Sequence, residues 1–153
     1  MQIVLVEPQI PQNTGSISRT CAATDTPLHL VEPLGFEITE KAVRRAGLDY
    51  WPYVKLFRHA SWADYVTNAT PEKIWLFSKF GERLYTSAEF GPNDALVFGS
   101  ETKGLGQEFL GQHPTSQIVR IPIVTDYVRS LNLSNAVSIA LYEARRQLKL
   151  DQV

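Results

Sequence analysis

The chain reads as an α/β protein, a mostly parallel sheet with helices on both faces. Three observations predict it. Short apolar runs recur along the sequence and are closed by Pro, Gly or polar residues. Segments with helical spacing fall between them, and alternation of this kind is the mark of strand–helix–strand units. The length, 153 residues, suits one domain able to bury a sizeable core.

The elements follow in order. Residues 3–6 form an apolar run closed by Glu7-Pro8, and 13–24 read as a helix after a Pro-rich turn. Residues 28–31 are strand-like and close at Glu32-Pro33. A helix is expected over 39–46 with Thr39 as its cap. A short strand at 54–57 and a helix over 61–69, stopped near Pro71, come next. Residues 74–78 and 95–98 look like buried strands, and 106–112 like a short helix. A strand at 118–121 stops at Pro122, and a polar loop leads into a final helix. That helix keeps Leu133, Val137, Leu141, Ala144 and Leu148 at helical spacing. No repeat, low-complexity tract or linker interrupts the sequence, so a single domain over 1–153 is expected.

Composition removes several classes of function. The net charge is −1 and the pI about 6.3, so no global basic field advertises nucleic acid, although a local basic face remains open. One cysteine, Cys21, rules out an intrachain disulfide and suits a reducing compartment. A strand that starts at Gln2 leaves no room for a signal peptide. No apolar run approaches the roughly 20 residues that span a bilayer. A cytoplasmic protein without a membrane segment is therefore expected. His29, His59 and His113 are scattered and lack the spacing of a metal site, so no metal is expected. Trp51, Trp62, Trp75 and Cys21 read as packing residues.

In a parallel sheet ligands sit at the carboxyl ends of the strands, and three loops there are chemically unusual. The first is Asn13-Thr-Gly-Ser-Ile-Ser-Arg19; the second is Gly99-Ser-Glu-Thr-Lys-Gly104. The third holds Ser130, Asn132, Ser134 and Asn135, more short polar groups than one helix cap needs. Each has a plain alternative: a helix start with a solvated Arg19, a tight glycine turn, a cap. The glycine loop is neither a P-loop nor a dinucleotide fingerprint. Taken together and in this order, the three are a specific signal.

Together they resemble the ribose 2′-O-methyltransferase branch of the SPOUT superfamily. The matching residues are Asn13 with Arg19, then Gly99, Glu101 and Gly104, then Ile121-Pro122 and Ser130-Leu-Asn-Leu-Ser134. Within that branch the chain is most similar to the small enzymes that methylate the tRNA wobble ribose. Glu7-Pro8-Gln-Ile-Pro-Gln-Asn-Thr-Gly15, Leu34-Gly-Phe36 and Arg44-Arg-Ala-Gly-Leu-Asp-Tyr50 support this. The 125–129 loop is longer than the family pattern, which puts the geometry ahead of Ser130 in question.

The resemblance implies a carboxyl-terminal trefoil knot, which topology rules alone make very rare. It implies a homodimer through the last helix and no separate RNA-binding extension. It implies S-adenosylmethionine as methyl donor, without a metal, and the anticodon stem-loop of tRNA as partner. The target is nucleotide 34, a cytidine or modified uridine, with leucine tRNAs as the expected carriers. Arg19, Asn13, Glu101, Ser130 and Asn132 are the implied catalytic set. Phe77, Gly99, Ile121, Ser130 and Leu131 are the implied cofactor contacts.

A ribose hydroxyl is a poor nucleophile until its proton is removed or its developing charge stabilised. The arginine matching Arg19 has been assigned in this family as the base. A guanidinium stays protonated in nearly all settings, so a two-pronged clamp on phosphate and developing alkoxide is the physically easier role. Asn13 and Asn132 would hold the loops and Arg19 in place; Glu101 would meet a ribose hydroxyl or orient Arg19. Arg129, Arg44 and Tyr142 are the candidate RNA contacts, alongside the basic residues Lys41, Arg45, Arg145, Arg146 and Lys149, which otherwise read as solvated faces. Two other readings stay open: methylation of a different tRNA or ribosomal ribose, and a nonenzymatic tRNA-binding module.

Overall fold

The structure, a computed structural model, describes residues 1–39, 41 and 49–150. Its strands are β1 (Gln2–Val6), β2 (Leu28–Val31), β3 (Leu56–His59), β4 (Ile74–Phe77), β5 (Arg83–Leu84), β6 (Ala95–Phe98) and β7 (Ile118–Arg120). The helices are α1 (Pro11–Ala23), α2 (Trp62–Ala69), α3 (Gln107–Gly111) and α4 (Leu133–Gln147). The helix expected over 39–46 falls mostly on residues outside the described set, and Arg44 and Arg45 lie there too.

One seven-stranded sheet runs β3-β2-β1-β6-β4-β7-β5. Every neighbouring pair is parallel, with Leu5 opposite Leu30 on one side and Phe98 on the other. Alternation along each strand divides the core in two. Ile3, Leu5, Leu30, Phe77, Leu96 and Phe98 face α1 and α4, meeting Ile17, Cys21, Val137 and Leu141. Val4, Val6, Leu76, Val97 and Ile118 face the other way, against Tyr65 of α2 and Leu110 of α3. Helices thus cover both faces. Burying a side chain such as Leu141, which is fully enclosed, contributes about 1.5–3 kcal/mol.

Local differences from the sequence expectation have local causes. The helix α1 starts at Pro11, ahead of Asn13, because proline is pre-set for the first helical position. The third strand starts at Leu56 because Trp51–Tyr53 form a 3-10 turn that ties Val54 N–H to the Trp51 carbonyl. The pair Arg83–Leu84 has no apolar run to announce it; it is held at the sheet edge by β7, and Arg120 Nη1 donates to the Gly81 carbonyl at 2.9 Å. His29 and His59 are not scattered: neighbouring strands bring them within a hydrogen bond, His29 Nδ1 to His59 Nε2 at 2.9 Å.

Candidate functional site

The two strands β1 and β6 are neighbours, so the loops that leave their carboxyl ends start side by side. Glu101, from the loop after β6, joins them. Its Oε2 accepts the Gln9 N–H at 2.8 Å, and its Oε1 accepts the Ile10 N–H at 3.0 Å. Asn13 Nδ2 donates to the same Oε1 at 3.3 Å. Thr102 Oγ1 donates to Gln9 Oε1 at 2.7 Å and closes the seam. The N-cap residue of α1 is Ile10, which has no side-chain oxygen to offer. Glu101 therefore brings a carboxylate to the positive end of that helix from a distant part of the chain, a favourable placement for the helix dipole.

From Asn13 the network reaches the third loop. Asn132 Nδ2 donates to Asn13 Oδ1 at 3.0 Å. Asn132 is the N-cap of α4, and its Oδ1 accepts Ser134 N–H at 3.0 Å, Ser134 Oγ–H at 2.6 Å and Asn135 N–H at 3.4 Å. Three loops far apart in sequence are thereby held by one chain of hydrogen bonds, Glu101 to Asn13 to Asn132. Asn132 does the capping, so Ser130 is left exposed ahead of the helix.

Glycine has two different duties here. A Cβ on Gly99 would sit 2.0 Å from the Gly104 carbonyl carbon, and Ser100 and Gly104 exchange backbone hydrogen bonds. The loop closes on itself at Gly99, so its smallness is required by its own backbone before any ligand arrives. A Cβ on Gly35 would lie 2.6 Å from Gln9 Cα. Gly35 N–H donates to the Pro8 carbonyl at 2.9 Å, so the 34–36 segment braces the residue that Glu101 holds.

Beside this network the carboxyl ends of β6, β4 and β7 lie in a row, carrying Gly99, Phe77 and Ile121. Phe77 is buried and stacked on Phe98, with ring centroids 4.6 Å apart. Residues 121–132 then form an open loop in which Val124, Tyr127, Val128 and Leu131 are exposed. Among the described residues, 123–131 make no backbone–backbone hydrogen bond. A segment with free N–H and C=O groups and apolar side chains, next to Gly99 and Ile121, has the donor set that an adenosyl group takes. The sequence-implied cofactor residues fit that group.

Arg19 stands apart from the network. It lies six residues beyond Asn13 on α1, about 9 Å along the axis. Its side chain is exposed, and Cζ lies over the Tyr50 ring, 5.3 Å from the centroid. Tyr50 OH in turn donates to the Gly15 carbonyl at 3.0 Å. Glu101, engaged with Gln9, Ile10 and Asn13, does not orient Arg19. The residue that does touch it, Tyr50, is missed when the Arg44 to Tyr50 run is read only as a family likeness.

Arg129 is exposed and Tyr142 half exposed. Two members of the basic cluster are used within the chain: Arg145 Nη1 donates to the Thr24 carbonyl at 3.0 Å, and Arg146 pairs with Glu143 at 2.8 Å. Burial pushes the Cys21 thiol up to about 12, which leaves it inert. No group of three or more metal-ligating side chains occurs among the described residues. A hollow of about 790 Å³ lined by Gln2, Asp25, Lys55 and Glu72 opens away from the three loops, near the amino ends of the strands. No helix among the described residues is long and apolar enough to cross a membrane.

Comparison with known proteins agrees with this geometry. The SpoU rRNA Methylase family matches residues 1–142. A protein of Saccharophagus degradans named tRNA (cytidine(34)-2′-O)-methyltransferase is 47% identical over 95% of this chain and 94% of its own length. A solved structure described as concerning 2-OH methylation of C/U34 on tRNA is 44% identical, with a TM-score of 0.87 over 97% of this chain and 95% of that one. An AdoMet-bound rRNA methyltransferase from Sinorhizobium meliloti is 26% identical, with a TM-score of 0.79 over 96% of this chain and 56% of its own. The family match over residues 1–142 and the relatives' identity over nearly the whole chain agree: the chain belongs to the SpoU methylase family.

Proposed function

We propose that this protein transfers a methyl group to the ribose 2′-oxygen of the tRNA wobble nucleotide, cytidine or modified uridine 34, with leucine tRNAs as carriers. The observation that carries the reading is the Glu101–Asn13–Asn132 chain, which joins three loops, with Arg19 exposed further along α1 over the Tyr50 ring. The 47% identity to a tRNA (cytidine(34)-2′-O)-methyltransferase over nearly the full length of both chains supports the target.

Gly99, Ile121, Ser130, Leu131 and Phe77 would hold the methyl donor by backbone and apolar contact. When bound there, S-adenosylmethionine supplies a methyl on a positively charged sulfur. Arg19 meets the phosphate beside the target ribose and stabilises the charge developing on the 2′-oxygen as its proton passes to solvent water, a contribution greatest in the transition state. Ser130 lies exposed where it reaches donor or ribose. Asn13, Glu101 and Asn132 keep the loops in register.

The reading extends to assembly. Ile139 and Tyr142 are exposed on α4, an apolar face suited to a second copy of the chain, and the active protein is a homodimer through that helix. Tyr142, Arg129 and Arg44 contact the anticodon stem-loop. The 121–132 loop and α4 adopt the trefoil threading, and the protein works in the cytoplasm.

Labelled methyl transfer from S-adenosylmethionine into bulk tRNA separates enzyme from binder: incorporation supports the reading, and tRNA binding without incorporation rejects it. Sedimentation at a mass near twice that of the chain is expected. A monomer fully active at nanomolar concentration would reject the dimer.

A further inference from the structure

Tyr50 touches α1 at two points. Its hydroxyl donates to the Gly15 carbonyl at 3.0 Å, and its ring lies under the Arg19 guanidinium, 5.3 Å from centroid to Cζ. Gly15 and Arg19 are four residues apart and so share one helix face. A phenol tethered at its hydroxyl cannot slide along that face, and the ring above the tether is fixed with it.

The chemistry of the contact suits a cation that must act on something else. An aromatic ring attracts a guanidinium through its π face, whereas hydrogen bonds leave the guanidinium through five N–H groups in its plane. A carboxylate partner would occupy that fork and cancel the charge. Among the described residues no carboxylate pairs with Arg19; the nearest candidate of the motif, Glu101, is taken up by Gln9, Ile10 and Asn13. The ring holds Arg19 while leaving its donors without a partner among the described residues.

Resting on the methyl-transfer reading above, we propose that Tyr50 is a positioning residue, whose ring, tethered at Gly15, orders the Arg19 guanidinium so that its N–H fork meets the target nucleotide in one orientation. Tyr50 does not touch the reacting atoms. Its effect on the reaction passes through Arg19.

The test uses the full-length protein, S-adenosylmethionine and a tRNA with cytidine 34, under single-turnover conditions with both saturating. Tyr50→Leu should slow methyl transfer by about tenfold, with KM for tRNA and affinity for S-adenosylhomocysteine nearly unchanged. Tyr50→Phe keeps the ring but loses the Gly15 tether, and its rate should fall between those of wild type and Tyr50→Leu. In an Arg19→Ala background, Tyr50→Leu should cost nothing more, because the two act as a unit. A general structural role predicts additive losses in both backgrounds. Additive losses, or a Tyr50→Leu rate equal to wild type, overturn the proposal. Proton NMR reads the contact without catalysis: Arg19 side-chain resonances should carry a ring-current shift that is reduced in Tyr50→Phe and vanishes in Tyr50→Leu. Wild-type protein that shows the shift but methylates no tRNA rejects the enzymatic reading, and wild-type protein without the shift rejects the positioning role.

Discussion

Two polar assemblies in this fold invite comparison. One is the Glu101–Asn13–Asn132 chain at the carboxyl edge of the sheet; the other is the His29–His59 pair between β2 and β3. Each joins elements distant in sequence by hydrogen bonds. The first runs from buried Asn13 to exposed Asn132, and its acceptors are met by N–H and O–H donors at 2.6–3.4 Å. The second is closed in by rings: Phe57 is stacked on His29 at 4.9 Å, and Tyr65 stands edge-on to both imidazoles at 5.3 Å. Beside it the Tyr65 hydroxyl is buried without a hydrogen-bond partner among the described residues. The open assembly spaces loops around a site, while the closed one packs an edge of the core and keeps an unmet polar group. Similar bonds thus do different work according to what surrounds them.

The largest expected effect lies at the open edge. Arg19→Ala should lower the methyl-transfer rate about 100-fold or more, as removing a positioned charge does, with S-adenosylhomocysteine affinity nearly unchanged by calorimetry. Arg19→Lys should rescue little, because an ammonium lacks the planar fork. Loss of cofactor affinity instead would move Arg19 into the structural group.

At the closed edge the lever is acid. Burial, aided by the charge of His59, pushes the His29 imidazole down to about 4 from 6.5. The unfolded chain then binds more protons than the folded one between those values, so stability is complete above about pH 6.5 and falls as pH drops toward 4. The loss is up to about 3 kcal/mol. Urea unfolding of wild type and His29→Phe across pH 4–7 checks it: the variant should lose part of the acid dependence. Identical slopes would show that the pair is not the source.

Asn132 separates capping from linking. Asn132→Ala removes both and should destabilise α4 by about 1 kcal/mol while slowing transfer. Asn132→Asp keeps the acceptor for Ser134 and Asn135 but cannot donate to Asn13. It should unfold near the wild-type midpoint and still transfer slowly. Equal rates in Asn132→Asp and wild type would leave the loop link without a catalytic role. The smallest effect is Tyr65→Phe, which removes the unpartnered hydroxyl and should be neutral or stabilising by up to about 1 kcal/mol.

The same contrast explains what could be read from the sequence. The continuous apolar run at Ile3 to Val6 and helical spacing from Leu133 to Ala144 reflect burial, so the parallel sheet and its two helical layers were legible. The loops that carry Asn13, Glu101 and Asn132 were legible as a set, because their order and spacing resemble one family although each alone reads as an ordinary cap or turn. Their partners were not, since hydrogen bonds across about 90 to 120 positions leave no local pattern. His29 and His59, thirty residues apart, meet only through strand register. The pair Arg83–Leu84 is too short and too polar to show as a strand, because its place is fixed by β7. Gly99 illustrates a subtler point: the glycine was visible, but its duty, closing on Gly104, depends on the fold of its own loop.

The central claim is that the open edge directs one methyl group to one oxygen. The most direct measurement is nucleotide-resolved mass spectrometry of tRNA, unmodified at the ribose of position 34, after incubation with this protein and S-adenosylmethionine. The account predicts a 14-Da gain on the ribose of nucleotide 34 and nowhere else, absent with Arg19→Ala. Methylation of a base, of a ribose elsewhere in the tRNA, or undiminished transfer by Arg19→Ala would contradict it.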